Sequence, residues 1–256
     1  MDALNAPMLL PDVALEPSWS LPPYIDDTPL IDVATLIAGA RRAVVVAPHP
    51  EDHVLGSGGL LVEFADFGLD TQILVVTDGE ASHDGSRQWT RATLRDKRVT
   101  ESVQALTALG VDLCSVTRLR YPDGMVAAFE DELSRRIAAQ LRPGDLVLTT
   151  WWDGNPDHAA CNRAVEQAVF GTCAALREAP VMMWNWADAE DPLLPHDRMV
   201  RVALGTTALE RKRRALTMFD SLLRADPDVA GSPRLDRALL AHFSHPFETL
   251  LYAPDV

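Results

Sequence analysis

An apolar run ends in a group of polar residues that can bind a metal ion and activate water. Residues 43–47 read AVVVA, and the chain continues through Pro48 to His49, Glu51 and Asp52. A continuous run of β-branched residues is typical of a buried strand in a parallel sheet, and open α/β folds bind ligands at the carboxyl ends of such strands. The pattern therefore predicts a functional site that begins at His49.

A second polar turn follows a later strand-like segment. Residues 149–152 read TTWW, and residues 155–158 read NPDH. Because both turns leave carboxyl ends of strands in one predicted sheet, we expect His49, Asp52 and His158 to meet. Two imidazoles and one carboxylate are a ligand set for catalytic zinc, which keeps a further position open for water. The sequence therefore predicts a Zn²⁺ site, with Fe²⁺ as an alternative divalent ion.

Glu51 is the candidate general base of this site. Zinc lowers the pKa of a bound water toward ~7, and a neighbouring carboxylate can accept the proton as the water attacks a carbonyl. Pro50 stiffens the turn, so that Glu51 and Asp52 can reach different sides of the ion. A single His at a strand end is more often a hydrogen-bonded core or surface residue, but two matched turns favour a metal site.

The glycine-rich segment 56–61, GSGGLL, has other interpretations that can be checked. It lacks the dinucleotide fingerprint because its sixth residue is Leu61, and no Walker lysine follows. Ser57 does not fit a nucleophile elbow, since Leu55 stands where the first glycine belongs. We expect the glycines to let a helix begin close to the metal loop and to leave backbone N–H groups near the substrate. A third interpretation, that the chain is a nucleotide-binding α/β protein without metal, rests on this segment alone.

Alternating strand and helix patterns surround the two turns and predict the fold class. The pattern indicates a single α/β, Rossmann-like domain, with a mostly parallel sheet and helices on both faces, over residues 39–256. Six prolines between residues 7 and 29 predict an extended N-terminal arm over residues 1–38. The predicted strands are 43–47, 71–77, 115–119, 145–150, 199–203 and 249–252, and the predicted helices are 58–67, 93–109, 130–141, one after Asp157, and 209–223. Segment 181–186 is a further element of the tail.

Composition limits the class of partner. The 256 residues include 23 Lys and Arg against 37 Asp and Glu, a net charge of −14, which argues against nucleic acid and anionic membranes. We therefore expect a small-molecule partner, and self-association stays open. Cys114, Cys161 and Cys173 have neither disulfide-framework nor zinc-thiolate spacing. With no secretion signal and no membrane-spanning apolar run, the chain is expected to be cytoplasmic.

Four motifs resemble the PIG-L/LmbE-like family of zinc-dependent N-deacetylases. They are HPED (49–52), GSGG (56–59), TDGE (77–80) and NPDH (155–158), and the resemblance covers nearly all of the chain after residue 40. It implies a Rossmann-like fold and hydrolysis of an N-acyl group, most often N-acetyl on a glucosamine-type sugar. The resemblance is supported by Arg98 and Glu101, the YPDGM segment 121–125, and the FET segment 247–249.

The resemblance also assigns roles to particular residues. It makes His49, Asp52 and His158 the metal ligands and Glu51 the general base. It implies that Arg98 and Asp123 bind substrate hydroxyls, and it places Asn155 and Asp157 at catalytic positions of the second motif.

Three residues depart from the family pattern. Glu51 is one methylene longer than the usual Asp, and His53 replaces a Glu, where it can contact substrate, orient a ligand or compete for metal. Asn155 replaces a His that is thought to polarise the carbonyl or protonate the leaving amine. Such a loss is expected to cost about two to three orders of magnitude in rate if nothing substitutes.

The leading hypothesis is a zinc-dependent hydrolase that removes an N-acyl group, most often N-acetyl, from an amino sugar or a sugar-containing small molecule. The alternative is a catalytically weakened metal- or ligand-binding protein of the same fold, which the residues at positions 53 and 155 favour. Trp151, Trp152, Trp184 and Trp186 are candidates for sugar stacking, although aromatic residues at strand ends are more often part of the core.

Overall fold

The strands that follow the predicted α/β pattern form one sheet. The computed structural model describes residues 25, 27–187, 191, 193–230 and 233–253, so most of the predicted N-terminal arm lies outside the described residues. The strands are β1 (Leu30–Ile31), β2 (Arg42–Ala47), β3 (Thr71–Thr77), β4 (Val116–Tyr121), β5 (Asp145–Thr150), β6 (Ala175–Ala179), β7 (Met199–Ala203) and β8 (Phe247–Tyr252). Their order across the sheet is β1-β7-β8-β6-β5-β2-β3-β4.

Most strand pairs are parallel, which confirms the predicted Rossmann-like α/β domain. The exceptions are the two pairs made by β8, which runs antiparallel to β6 and β7. The helices are α1 (Val33–Leu36), α2 (Asp52–Leu55), α3 (Gly58–Asp66), α4 (Arg91–Leu109), α5 (Glu130–Ala138), α6 (Pro156–Val169), α7 (Thr206–Leu216), α8 (Asp220–Leu223) and α9 (Arg237–His242). None of these helices is both long and apolar enough to cross a bilayer.

Helices cover both faces of the sheet because its central strands are apolar on both sides. In β2, Val45 belongs to a core cluster with side chains of α3, α4 and α7, whereas Val44 belongs to a second cluster with side chains of α5 and α6. Successive side chains of a strand point to opposite faces, so that one valine run fills two cores. The carboxyl ends of β2 and β5 then lie side by side, since the two strands are parallel neighbours.

Helix α4 buries polar as well as apolar side chains. Its helical spacing places Val99, Val103 and Leu106 on one face, and of these Leu106 is buried whereas Val103 is 42% exposed. Arg98 and Glu101 are buried instead. Their burial is stabilised by hydrogen bonds, from Arg98 to the Gly79 carbonyl at 2.6 Å and from Ser221 to Glu101 at 2.6 and 2.8 Å. The charged side chains of α4, which the sequence places on its outer face, therefore include two that are buried and hydrogen-bonded.

Three segments in the second half of the chain differ from what the sequence suggests. Residues 175–179, ALREA, were assigned no element, and although their composition favours a helix they form β6, because β5 and β8 pair with its two edges. The predicted helix 209–223 is divided into α7 and α8. Segment 181–186 forms bends and a short 3-10 turn rather than one regular element.

The glycine-rich segment lets α2 and α3 pack closely against the sheet. A Cβ at Gly56 would lie 2.7 Å from the Ala179 Cβ, and a Cβ at Gly59 would lie 2.4 Å from a Leu204 methyl group. The Gly59 N–H, which we expected near the substrate, donates to the buried carboxylate of Glu248 at 2.8 Å. This N–H group is therefore occupied by Glu248, which also pairs with Lys212 at 2.5 Å, and is not available to a phosphate, which argues against the nucleotide-binding alternative.

Candidate metal centre

Two loops at the carboxyl ends of β2 and β5 bring the predicted metal ligands together. The backbone N–H of His49 donates to Asp52 Oδ2 at 2.8 Å, which closes the turn after β2. The second loop leads into α6, where Asn155 is the N-cap residue: its Oδ1 accepts from the N–H groups of Asp157 and His158 at 2.8 and 3.3 Å. Since Asn is among the best N-cap residues, this local preference fixes the start of α6 and so places His158.

Three donor atoms converge at this edge of the sheet. His49 Nδ1 lies 3.1 Å from Asp52 Oδ2 and 3.2 Å from His158 Nε2, and His158 Nε2 lies 3.3 Å from Asp52 Oδ2. Ligands about 2.0–2.1 Å from a tetrahedral zinc ion are separated by about 3.3 Å. All three residues are buried, and they form a group that can hold a metal ion. The donor set and its spacing therefore fit zinc.

The other ring nitrogen of each histidine faces a carboxylate. His158 Nδ1 lies 2.9 Å from Asp153 Oδ1, and His49 Nε2 lies 3.3 Å from Asp123 Oδ1. Such carboxylate partners fix the tautomer and orientation of metal-binding histidines. Asp153 is itself held, because its Oδ2 accepts from the N–H groups of Val181 and Met182 at 3.0 and 2.5 Å. The sequence analysis missed Asp153, although a carboxylate five residues before a predicted ligand is a recognisable signal.

Asp153→Asn is expected to weaken zinc binding without unfolding the protein. The amide oxygen can still accept from Val181 or Met182, but the negative charge beside His158 is lost. Changes to such partners typically cost 10–100-fold in metal affinity. Competition titration with a chromogenic zinc chelator measures the effect, and an unchanged zinc Kd would contradict the orienting role.

A second group of buried residues surrounds the far side of His49. His49, Asp123 and Asp157 also form a group that can hold a metal ion, with His49 Nε2 3.7 Å from Asp157 Oδ2. Both carboxylates, however, already accept backbone N–H groups. Asp157 accepts from Gly124 and Val126 at 2.7 and 3.1 Å, and Asp123 accepts from Ala81 at 2.7 Å. These bonds attach the loops after β3 and β4 to the centre, so that Asp123 and Asp157 lie beside the predicted ligands.

Glu51 lies in the same turn as two of the predicted ligands and pairs with Arg98. The Arg98 Nη2 group donates to Glu51 Oε2, and its Nη1 group donates to the Gly79 carbonyl at 2.6 Å. Gly79 has a φ of +70°, and a Cβ there would overlap the guanidinium group. The structure thus places Arg98 as a buried partner of Glu51, and its predicted contact with substrate hydroxyls stays a prediction.

His53 and Asn155 occupy different positions relative to the centre. His53 is fully buried in α2, and among the described residues neither of its ring nitrogens has a hydrogen-bond partner. Burial lowers the pKa of His53 to about 4, so the ring is neutral. It does not join the cluster of donors. Asn155 uses its side-chain oxygen as the helix cap, which leaves its amide nitrogen as the group that can act as a donor.

The charges around the centre favour a bound cation. Burial opposes protonation of His158, but Asp52 and Asp153 outweigh it and raise the pKa of His158 to about 9. Burial also opposes protonation of His49, whose pKa is nevertheless raised well above its ordinary value by Asp123, Asp157 and Asp52. Against the effect of burial, the imidazoles hold the pKa of Asp52 well below its usual range. Without metal, protons on the two imidazoles balance the negative charge of these carboxylates. A divalent ion can replace those protons.

The geometry agrees with comparisons against known proteins. A family model described as PIG-L: GlcNAc-PI de-N-acetylase matches residues 44–169, which include both ligand loops. The chain belongs to the PIG-L/LmbE-like deacetylase family. Among curated PIG-L/LmbE-like relatives, diacetylchitobiose deacetylase of Thermococcus kodakarensis is 28% identical over 163 residues, which cover 61% of this chain and 57% of that protein.

A second relative and a solved structure extend the comparison. The 1D-myo-inositol 2-acetamido-2-deoxy-alpha-D-glucopyranoside deacetylase of Rhodococcus opacus is 28% identical over 155 residues, 50% of this chain and 53% of that protein. The chain thus spans little more than half the length of these curated relatives. The zinc-inhibited form of teicoplanin deacetylase Orf2 has a TM-score of 0.59 at 18% identity, covering 84% of this chain and all of that one. At this identity the likeness shows the PIG-L/LmbE-like fold alone.

Proposed function

We propose that the protein is a zinc-dependent hydrolase that removes an N-acyl group, most often N-acetyl, from an amino sugar or a sugar-containing small molecule. One observation carries the proposal: His49 Nδ1, Asp52 Oδ2 and His158 Nε2 lie within 3.3 Å of one another, with Glu51 in the same turn. The names of the relatives, which refer to diacetylchitobiose and to a 2-acetamido sugar, support this substrate class.

In the proposed reaction, His49, Asp52 and His158 would hold the zinc ion, which when bound would supply Lewis acidity to the acyl carbonyl and to the attacking water. Glu51 removes a proton from that water as its oxygen bonds to the carbonyl carbon. Arg98 holds the Glu51 carboxylate in place. When the C–N bond breaks, Glu51 returns the proton to the leaving nitrogen, so that a free amine and acetic acid form, and the acid ionises to acetate. The amide N–H of Asn155 is the candidate donor to the developing oxyanion.

Two tryptophans beside the ligand loop support a sugar as substrate. Trp151 is buried, whereas Trp152 and Trp186 are 42% and 37% exposed. The Trp186 Nε1–H group donates to the Asp153 carbonyl at 2.7 Å, so its ring is held next to the residue that orients His158. Trp152 packs against Trp151 at a ring-centroid distance of 4.8 Å. Partly exposed rings anchored in this way can stack on the apolar face of a sugar.

Trp152→Ala is expected to raise the KM for an N-acetylglucosaminide about three- to tenfold with little change in kcat, since a ring contact stabilises bound substrate by about 0.5–1.5 kcal/mol. Initial rates over a range of substrate concentrations measure both constants. Phe170→Ala is a matched control, because Phe170 is 75% exposed at the opposite end of α6. Equal KM values for the Trp152 and Phe170 variants would contradict the stacking role.

Acetate release tests the proposed activity. Zinc-loaded protein and chelator-treated protein are incubated with N-acetylglucosamine, N,N'-diacetylchitobiose and an N-acetylglucosaminyl inositol, and acetate and free amine are measured. We expect zinc-dependent release of equal amounts of both products from at least one of these compounds. No release from any of them, by protein shown to contain zinc, would count against N-deacetylation.

The second candidate is a metal- or ligand-binding protein with weakened catalysis. The observation that favours it is the use of the Asn155 side-chain oxygen as the cap of α6, where the family usually has a His. Asn155→His separates the two candidates. A weakened enzyme gains turnover, even though loss of the cap costs about 1 kcal/mol of stability, whereas a pure binding protein stays inactive.

A further inference from the structure

A cavity of about 300 Å³ lies between α4 and β4, outside the cluster of metal ligands. Val99, Val103 and Leu106 line its helical wall, and Val116, Arg118 and Arg120 line its strand wall. β4 ends the described sheet, so this groove follows an edge strand. Small-molecule sites begin at about this volume.

The groove is polarised along its length. Its beginning, near Val116, is apolar and includes the exposed side chain of Leu113. Its other end, toward the carboxyl end of β4, carries two guanidinium groups. Arg118 is paired with Asp78 at 2.7 Å, whereas Arg120 is exposed and has no hydrogen-bond or ion-pair partner among the described residues. The groove therefore combines an apolar wall with a net positive end, in a chain whose net charge is −14.

Arg120 is held in a costly backbone conformation. It has a φ of +61°, and it is the one non-glycine residue with positive φ in the part of the chain that the structure describes. The strand pairing shifts at this point: Val75 pairs with Arg118, but Thr77 pairs with Tyr121, so β4 contains one extra residue. Bulges of this kind re-aim a side chain, and strained residues concentrate at ligand sites. Glycine would adopt this conformation without strain, so the backbone itself does not require an arginine at position 120.

We propose that this groove binds a small organic anion with an apolar tail. Its carboxylate or phosphate would pair with Arg120, and its tail would lie between Val103 and Val116. At ~30 Å³ for each water-sized group, the cavity holds about ten non-hydrogen atoms, the size of octanoate. Pro50, which lies between His49 and Glu51, also lines the groove, so an occupant would contact the loop that carries two metal ligands.

Calorimetric titration of the full chain with octanoate tests the site. We expect one octanoate to bind per chain, with at least tenfold weaker binding of acetate, which lacks the tail, and no binding of octylammonium, which has the opposite charge. Hexyl phosphate tests whether the natural head group is a phosphate. If hexyl phosphate binds more tightly than octanoate, the head group is assigned as a phosphate. If it binds more weakly, the head group is assigned as a carboxylate. Failure of both octanoate and hexyl phosphate to bind would overturn the proposal.

Variants separate a binding role of Arg120 from a structural one. Arg120→Gly is expected to weaken octanoate binding at least tenfold while its Tm stays equal or rises, because glycine adopts positive φ without strain. Val103→Trp fills the cavity and is expected to abolish binding. Arg135→Ala, at an exposed arginine of α5, is the matched control and should bind normally.

Two results obtained with these variants would overturn the proposal. One is unchanged octanoate affinity in Arg120→Gly. The other is a dimer in solution that Val103→Trp dissociates, which would assign the groove to a second copy of the chain.

Discussion

Glu51→Gln is expected to lower kcat for N-deacetylation by about 10²–10⁴-fold while zinc affinity stays within a fewfold of the original. Glutamine has nearly the same shape and can still accept a hydrogen bond from Arg98, but it cannot take a proton from water. The three predicted metal ligands are untouched by the change. Acetate release and zinc titration on the same protein sample measure the two quantities separately.

Two further variants sharpen this prediction. Glu51→Asp restores the carboxylate that is usual in the family and should keep activity within about tenfold of the original. Glu210→Gln removes an exposed carboxylate of α7 and should change nothing. If the Gln variant at position 51 hydrolysed substrate as fast as the Glu210 variant, Glu51 would not be the base.

The second large effect is a reversal of the pH dependence of stability when zinc is present. In metal-free protein the pKa of His158 is raised from 6.5 to about 9 by Asp52 and Asp153, against the effect of burial. A raised folded-state pKa stabilises the fold fully below pH 6.5, and the stabilisation is lost as pH rises through 9. The Tm of the metal-free protein should therefore fall between pH 6.5 and 9.

Zinc should change the sign of that trend. Metal binding requires neutral imidazoles, so protons and zinc compete for His49 and His158, and zinc binds more tightly as pH rises. The Tm in saturating zinc should therefore hold or increase between pH 6.5 and 9. Thermal unfolding in chelator and in zinc at four pH values measures both trends, and Asp153→Asn should flatten the metal-free one. A Tm of metal-free protein that rises with pH would contradict the charge arrangement.

The meeting of the two loops that carry His49, Asp52 and His158 could be predicted from sequence, because their chemistry and their position in the fold are both local signals. The run of valines before Pro48 identifies a buried strand, and a parallel sheet brings its carboxyl end next to that of β5. His49 and Asp52 lie three residues apart in one turn, and the Asn-Pro pair marks the start of α6. No long-range contact had to be known beyond the order of the strands.

What the sequence did not reveal depends on contacts between distant segments. Asp153 acts through its distance to His158 and through N–H groups 28 and 29 residues away. The polar buried face of α4 exists because Glu51, Gly79 and Ser221 supply partners for Arg98 and Glu101. Strand β6 forms from a helix-favouring segment because two neighbours pair with it. In each case the deciding free energy comes from groups that the local pattern does not contain.

Positions 53 and 155 differ in how well the sequence anticipated them. For Asn155, local preference explains the structure: Asn is a strong helix cap, and it performs that role. His53 was expected to contact substrate, orient a ligand or compete for metal, yet among the described residues its ring makes no hydrogen bond. Having His53 where the family usually has a Glu therefore removes a negative charge from α2 and adds no ligand atom to the candidate metal centre.

The most direct test of the account is the position of zinc in crystals of the protein, located by anomalous scattering at the zinc edge. We predict one ion per chain, within about 2.0–2.2 Å of His49 Nδ1, Asp52 Oδ2 and His158 Nε2. The absence of an ion at saturating zinc, or an ion bound between Asp123 and Asp157 in place of these three atoms, would contradict the account.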